Sequence, residues 1–227
     1  MPKIYTKKGD DGTTRLYDGT QISKGNIICS VIGEIDELSS RIGIVYSLIP
    51  EKMTHNHEIK EVNISTSVQK IGCSVGVEDS YKPLEKFTIS YFNIKEVIAG
   101  VQQILQRINS ILATNLSRSE DQDQDQDQDQ EQDIDGTLIN KLENYIDFMS
   151  VELPVLTKFI LPGVTQCDAY VHICRTQTRK VERLLVQIRS YVGLGENSYK
   201  YMNRLSDFFF TLARWVCYKE NLLDRIF

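Results

Sequence analysis

Three groups of residues have types and spacings that could do chemistry. The first is Y-T-K-K-G-D-D-G-T-T-R-L at positions 5–16. Gly9 and Gly12 permit tight turns and close approach of the backbone to a ligand. Successive N–H groups in such a turn can cradle an anion. Lys7, Lys8 and Arg15 add positive charge, and Thr13 and Thr14 add hydroxyls. These ingredients suit a polyphosphate, although the G-K-[ST] ending of a Walker loop is missing. A plain glycine-rich surface turn is the competing reading.

The second group lies on a helix expected over 166–192. Asp168, His172, Arg175, Arg179 and Glu182 are spaced by four, three, four and three, which puts five ionisable groups on one face. The same helix carries apolar residues at Ile173, Val181, Leu184 and Ile188, so the polar stripe faces either a second partner, a cleft or solvent with i,i+4 ion pairs. Thr165 and Asp168 form a capping-box pattern at its start. Just upstream, F-I-L-P-G (159–163) places Phe159 in a loop beside the polar helix. The third group is N-R-L-S-D at 203–207, where Asn203, Arg204 and Asp207 fall off an apolar seam. Asp36 and Glu37 do the same on an earlier helix.

The elements that must position these groups are helical. Ile28, Val31, Ile35, Leu38, Ile42, Val45 and Ile49 alternate steps of three and four until Pro50. Similar seams run through Ile64, Val68, Ile71 and Val75; through Ile94, Val97, Val101, Ile104, Ile108 and Ile111; through Leu138, Leu142, Tyr145 and Met149; and through Met202, Leu205, Phe209, Leu212 and Val216. No comparable strand alternation appears, and residues 1–25 read as a loop. Amphipathic helices cannot bury their stripes alone, so the fold class is all-α, a helical bundle. The chain reads as a single domain over 1–227. It is interrupted by an Asp-Gln tract at about 119–134, expected to be a disordered insertion because it has no apolar groups and repels itself.

Composition narrows the function classes. The 227 residues include 41% hydrophobics, enough for a sizeable core, and 31 acids against 26 bases. That balance argues against a nucleic-acid partner. No apolar run reaches the length of a membrane span. The start, Met-Pro-Lys-Ile-Tyr, has neither signal-peptide nor transit-peptide character. Cys29, Cys73, Cys167, Cys174 and Cys217 are odd in number with no C-x-x-C pair, and read as reduced intracellular thiols rather than a disulfide frame or zinc site. A ferritin-like di-iron bundle is disfavoured because no E-x-x-H pair occurs.

Taken in order, several segments resemble the PduO-type cob(I)alamin adenosyltransferases. They are Y-T-K-K-G-D-D-G-T-T (5–14), Ile22-Ser23-Lys24, G-E-I-D-E-L-S-S-R-I-G (33–43), F-I-L-P-G (159–163), R-T-Q-T-R-K-V-E-R (175–183) and N-R-L-S-D-F-F-F-T-L-A-R (203–214). The resemblance implies a five-helix bundle with an N-terminal phosphate-binding loop, assembled as a homotrimer with sites between subunits. It implies that ATP lies against Thr6, Lys7, Lys8, Gly9, Gly12, Thr14 and Arg15, with Lys24 adding a phosphate contact. Arg175, Arg179, Glu182 and Arg183 would line the nucleotide from a neighbouring subunit, with Asn203 nearby and Lys180 keeping the charge of a frequent Arg. Asp36 matches a position that pairs across the interface with that of Arg175, and Phe159 matches the aromatic on the corrinoid side. Arg175, Arg179, Asp36 and Phe159 are thus the expected catalytic set. Magnesium would accompany ATP, with cobalamin as the second substrate.

A reductase and an adenosylcobalamin-dependent enzyme are the implied partners; the implied compartment is the cytoplasm in a bacterium or the mitochondrial matrix in a eukaryote. The chain departs from the pattern at Val164, where a second Gly is usual, at Asp18, where Gly is common, and at Lys180. The alternative to catalysis is a carrier that binds corrinoid and ATP and delivers adenosylcobalamin.

Overall fold

The computed structural model describes residues 3–17, 19–53, 93–114 and 132–227. The seam at Ile64–Val75, Cys73, Asp18 and most of the Asp-Gln tract lie outside the described residues. Among the described residues are five long helices: α1 (Ile27–Leu48), α2 (Ile94–Thr114), α3 (Thr137–Glu152), α4 (Gln166–Ile188) and α5 (Glu196–Lys219). They pack in the order α2, α1, α4, α5, α3, each against its neighbours in that series. None is long and apolar enough to cross a membrane.

Each helix begins where a side chain can accept the orphan N–H groups of its first turn. The Asn26 side chain caps α1 by accepting from Ile28 N–H at 2.9 Å. Asn93 accepts from Lys95 N–H at 3.0 Å, and Asp135 from Thr137 N–H at 2.9 Å. The α1 seam is buried at all seven expected positions, Ile28 to Ile49. On α2 the expected positions Ile94, Val101, Ile108 and Ile111 are buried together with Ile98, Leu105 and Leu112, while Val97 and Ile104 are only partly covered. The pairs Val97-Ile98 and Ile104-Leu105 are both apolar, so spacing alone cannot choose between two adjacent stripes. On α4 the core line is Val171, Cys174, Val181, Leu185 and Ile188, while Ile173 and Leu184 flank it. α4 ends at Ile188, four residues short of the expected 192. α5 is the most fully buried helix, with Trp215, Tyr201, Phe208 and Phe209 wholly in the core.

Two corrections follow for the segments expected to be irregular. Residues 1–25 are not all loop, because β1 (Thr13–Arg15) and β2 (Gln21–Ser23) form an antiparallel hairpin. A second pair joins β3 (Ile160–Leu161) to β4 (Arg225–Ile226), also antiparallel. Strands of two or three residues are too short to print an alternating pattern. The Asp-Gln insertion also ends earlier than 134. Ile134 is buried, and the Asp133 carboxylate accepts from Asn197 N–H (2.8 Å), Ser198 N–H (2.9 Å) and the Ser198 hydroxyl (2.8 Å).

Asp133 thereby supplies the cap that Gly195, the residue preceding α5, cannot. Gly195 is glycine for the same reason: a Cβ there would fall 2.3 Å from the Asp133 carboxyl carbon. Asp133→Ala is therefore expected to cost about 1–2 kcal/mol, the upper half of the range for a lost cap. Urea unfolding monitored by circular dichroism checks this; a midpoint equal to wild type refutes it.

Among the described cysteines all are free. Burial pushes the thiols of Cys167, Cys174 and Cys217 up to about 12, so they act as small apolar core residues.

Candidate functional site

The 5–16 segment turns twice before entering β1. Lys7 has a left-handed φ of 60°, unusual for a residue with a Cβ, and Gly12 follows at 82°. Asp11 organises the second turn: its carboxylate accepts from Thr13 N–H at 2.9 Å and the Thr13 hydroxyl at 2.7 Å. Those bonds hold its carboxyl below the usual carboxylate range. The Lys24 ammonium crosses from β2 to donate to the Gly9 carbonyl at 2.7 Å, keeping two further donors. Asp10, Gly12 and Thr13 spend their N–H groups inside the turns, so cationic side chains rather than a long backbone nest dominate this loop. Thr6, Lys7, Lys8 and Arg15 are exposed, and Thr14 is half-buried. Tyr17 N–H bonds the Ala113 carbonyl at 3.2 Å and fixes the hairpin to the end of α2.

The polar face of α4 divides in two. Its first turn is structural. Thr165 and Asp168 form the expected capping box, and Asp168 is buried, accepting from the N–H groups of Thr165 and Gly163, the latter at 3.0 Å. His172 is buried too. Its Nδ1 accepts from Arg175 Nε at 3.4 Å, and its ring meets Phe210 edge-on. Burial, then the Arg175 charge, pull His172 below its ordinary value, which favours its neutral form.

Beyond His172 the face opens. Arg175 is half-buried, and Arg179 and Arg183 are exposed. Burial, reinforced by Arg179, lowers Arg175 from its usual value, yet a guanidinium stays charged. Glu182 faces Asn203, whose amide donates to it at 2.8 Å, and Arg183 donates to the Arg179 carbonyl at 3.1 Å. The ion pairs that a solvated face would use are not made among the described residues. Among the described residues none of Arg175, Arg179 and Arg183 has a carboxylate partner.

Lys180 stands apart from that stripe. Its ammonium pairs with Glu34 of α1, which also accepts from Gln177. Lys180 first, with Gln177, holds the Glu34 carboxyl below its ordinary value. Asp36 is exposed on α1 and makes no ion pair among the described residues. Arg204 bonds Glu143 and Asp207. Thr6, Lys7, Lys8 and Arg15 form no hydrogen bond with α4 among the described residues. The chain thus holds two cationic surfaces, the hairpin at the end of α2 and the stripe on α4, that do not bond to each other.

Phe159 lies at the N-terminal end of α4, on the segment leading into β3. It is 86% exposed, and its carbonyl accepts from Phe227 N–H at 2.9 Å. Two features of this end were not anticipated from sequence: the pairing of the C-terminal residues with the F-I-L-P-G segment, and Arg214, buried and bonded to Asp224 at 2.9 Å. A readable signal existed for the second. Arg214 is the one charge within F-F-F-T-L-A-R-W-V-C, and a charge inside an apolar run needs a partner. No group of three or more His, Cys, Asp or Glu among the described residues could hold a metal ion.

Comparison with known proteins finds likeness along nearly the whole chain. The model of the cobalamin adenosyltransferase family matches residues 4–216. The corrinoid adenosyltransferase MMAB of Bos taurus is 33% identical over 227 residues, covering 100% of this chain and 76% of that protein. The corrinoid adenosyltransferase of Citrobacter freundii is 28% identical, covering 94% of each chain. A solved structure of a variant PduO-type ATP:corrinoid adenosyltransferase from Lactobacillus reuteri, complexed with cobalamin and ATP, superposes with a TM-score of 0.69 at 28% identity, covering 99% of both chains. The chain belongs to the cobalamin adenosyltransferase family.

Proposed function

We propose that this protein transfers the 5′-deoxyadenosyl group of ATP to the cobalt of a cob(I) corrinoid, giving adenosylcobalamin and triphosphate. The observation that carries the reading is the α4 face where Arg175, Arg179 and Arg183 lie without carboxylate partners among the described residues, in a family of which one solved structure is complexed with cobalamin and ATP. Three guanidinium groups left unneutralised on one face are matched by a polyanion.

The substrate supplies the nucleophile. Cobalt(I) attacks C5′ of the ribose, the C5′–O bond breaks, and the electron pair leaves with triphosphate. The protein therefore needs no Ser, Cys or His nucleophile, and its buried high-pKa thiols and buried His172 fit that. Its tasks are to hold cobalt and C5′ in line and to stabilise charge growing on the triphosphate. In this reading Thr6, Lys7, Lys8, Gly9, Gly12, Thr14, Arg15 and Lys24 hold the phosphates, and Arg175, Arg179, Glu182 and Arg183 with Asn203 line the nucleotide. Lys180 acts at longer range, since Glu34 already holds its ammonium. Magnesium would come on the triphosphate oxygens, as it does where carboxylate ligands are few. Phe159 offers an exposed apolar ring to the corrinoid; set against the lower face, it would favour the four-coordinate cobalt(II) state, which is easier to reduce.

A homotrimer fits the separation of the two cationic surfaces, because a neighbouring subunit can bring its hairpin to the α4 stripe. Asp36, exposed and without an ion pair among the described residues, is then available to meet Arg175 across the interface. Light scattering tests the assembly. A reductase upstream, an adenosylcobalamin-dependent enzyme downstream, and a cytoplasmic or mitochondrial location complete the proposal. The deciding experiment mixes the protein, magnesium-ATP and chemically reduced cobalamin and follows the absorbance change as the Co–C bond forms. Turnover is expected. Tight binding of both ligands without that change would identify a carrier instead.

A further inference from the structure

We propose that Arg214 and Asp224 form a latch that positions Phe159, and that this latch sets corrinoid affinity. The inference rests on the adenosyltransferase reading. Arg214 lies in the continuously buried run Thr211–Cys217 of α5 and is only 9% exposed. Its Nε donates to Asp224 Oδ2 at 2.9 Å and its Nη2 to the Pro154 carbonyl at 2.7 Å. These two acceptors belong to different segments. Pro154 begins the stretch that runs from the end of α3 to Phe159, and Asp224 directly precedes β4. One guanidinium therefore ties down the start of both segments.

What the tie secures is a strand pair too small to hold itself. β3 and β4 have two residues each, Ile160 opposite Ile226 and Leu161 opposite Arg225. Phe227 N–H adds a bond to the Phe159 carbonyl at 2.9 Å, and Arg225 reaches the Pro162 carbonyl at 3.4 Å. Even a longer isolated two-stranded ribbon is marginal in water. The anchor must come from elsewhere, and Arg214 is bonded to both sides. Its planar fork can serve two acceptors in different directions, which a lysine ammonium does with less preorganisation. Asp224 stays paired because leaving Arg214 buried and unmatched would be costly. Arg214 touches neither substrate nor cobalt in this scheme; it is a positioning residue. The main chain of Phe159 is fixed while its ring, 86% exposed, remains free to meet a ligand.

The test uses the full chain carrying Asp224→Asn and, separately, a chain ending at Asp224, which keeps the ion pair but lacks β4. Amide exchange over 159–161 and 225–227 is expected to quicken in Asp224→Asn, and over 159–161 in the shortened chain. Both are expected to raise the KM for cobalamin about tenfold with the KM for ATP unchanged. Both should weaken the absorption signature of four-coordinate cob(II)alamin on the ATP-loaded protein. Unchanged exchange in Asp224→Asn overturns the latch regardless of activity. A parallel rise in both KM values, or an unchanged cobalamin KM in the shortened chain, overturns the positioning role. A wild-type protein that never forms the Co–C bond removes the adenosyltransferase reading instead, while the exchange result still stands on its own.

Discussion

Arg179→Ala is expected to reduce adenosyl transfer by about 10²–10³-fold, the size found when one charge-stabilising donor is removed from an active site. The reason lies in what Arg179 does not do. It is exposed and has no carboxylate partner among the described residues, so it contributes little to the fold. Substitution at such a site usually changes stability by no more than about 0.5 kcal/mol. For a chain of this size that is a shift of about 1–2 °C in Tm. Activity and stability should therefore part company. Steady-state rates with chemically reduced cobalamin give kcat and KM, calorimetry gives the Kd for ATP, and a thermal melt gives Tm. A loss mainly in kcat would place the Arg179 interaction in the transition state; a loss mainly in KM would place it in ground-state binding. Arg179→Lys keeps the charge but not the fork, and should recover only part of the rate. If Arg179→Ala leaves both the Kd for ATP and kcat unchanged, the α4 stripe is not the nucleotide site.

How much of this was legible in sequence depended on the kind of force involved. Long-range burial writes a period into a helix, so α1 was readable to the residue, Ile28 through Ile49. On α2 the same force left an ambiguity, because Val97-Ile98 and Ile104-Leu105 offer two apolar stripes side by side. Capping is local, and Thr165 with Asp168 could be read as a pair three residues apart. Pairing between distant segments leaves no such trace. β3 and β4 are two residues each, and nothing near Ile160 points to Ile226. Asp133 looked like one more member of an acidic tract, yet it caps α5 from 64 and 65 residues away.

The site shows the same division. The spacing of Arg175, Arg179 and Arg183 was visible, but whether they were neutralised was not. That depended on where Asp168 and Glu182 turned, to the loop N–H groups and to Asn203 respectively. Lys180 illustrates the converse. By the family resemblance it belongs with the arginines; in three dimensions Glu34 on α1 holds it.

Phe159→Ala should separate the two halves of the reaction. Burying a phenylalanine side chain against an apolar partner is worth about 1.5–3 kcal/mol. At about 1.4 kcal/mol per tenfold, removal predicts a loss of about 10–150-fold in a step that depends on that contact. The step in question is reduction of cobalt(II), which is eased when the lower axial ligand is displaced by an apolar group. Starting from cob(II)alamin and a reductant, Phe159→Ala is expected to show the full loss. Starting from cob(I)alamin already reduced, it should lose much less, because the phosphate contacts proposed for Arg175, Arg179, Lys7 and Lys8 are untouched. The fold should be indifferent, since the ring is 86% exposed and the Phe159 carbonyl keeps its bond from Phe227 N–H. Parallel assays with the two cobalt states, and a thermal melt of the variant, decide the matter. Equal losses in both assays would assign Phe159 to orienting the corrinoid rather than to the cobalt(II) step. No loss in either would remove the corrinoid from this end of α4, and with it the role given to the segment between Phe159 and Gly163.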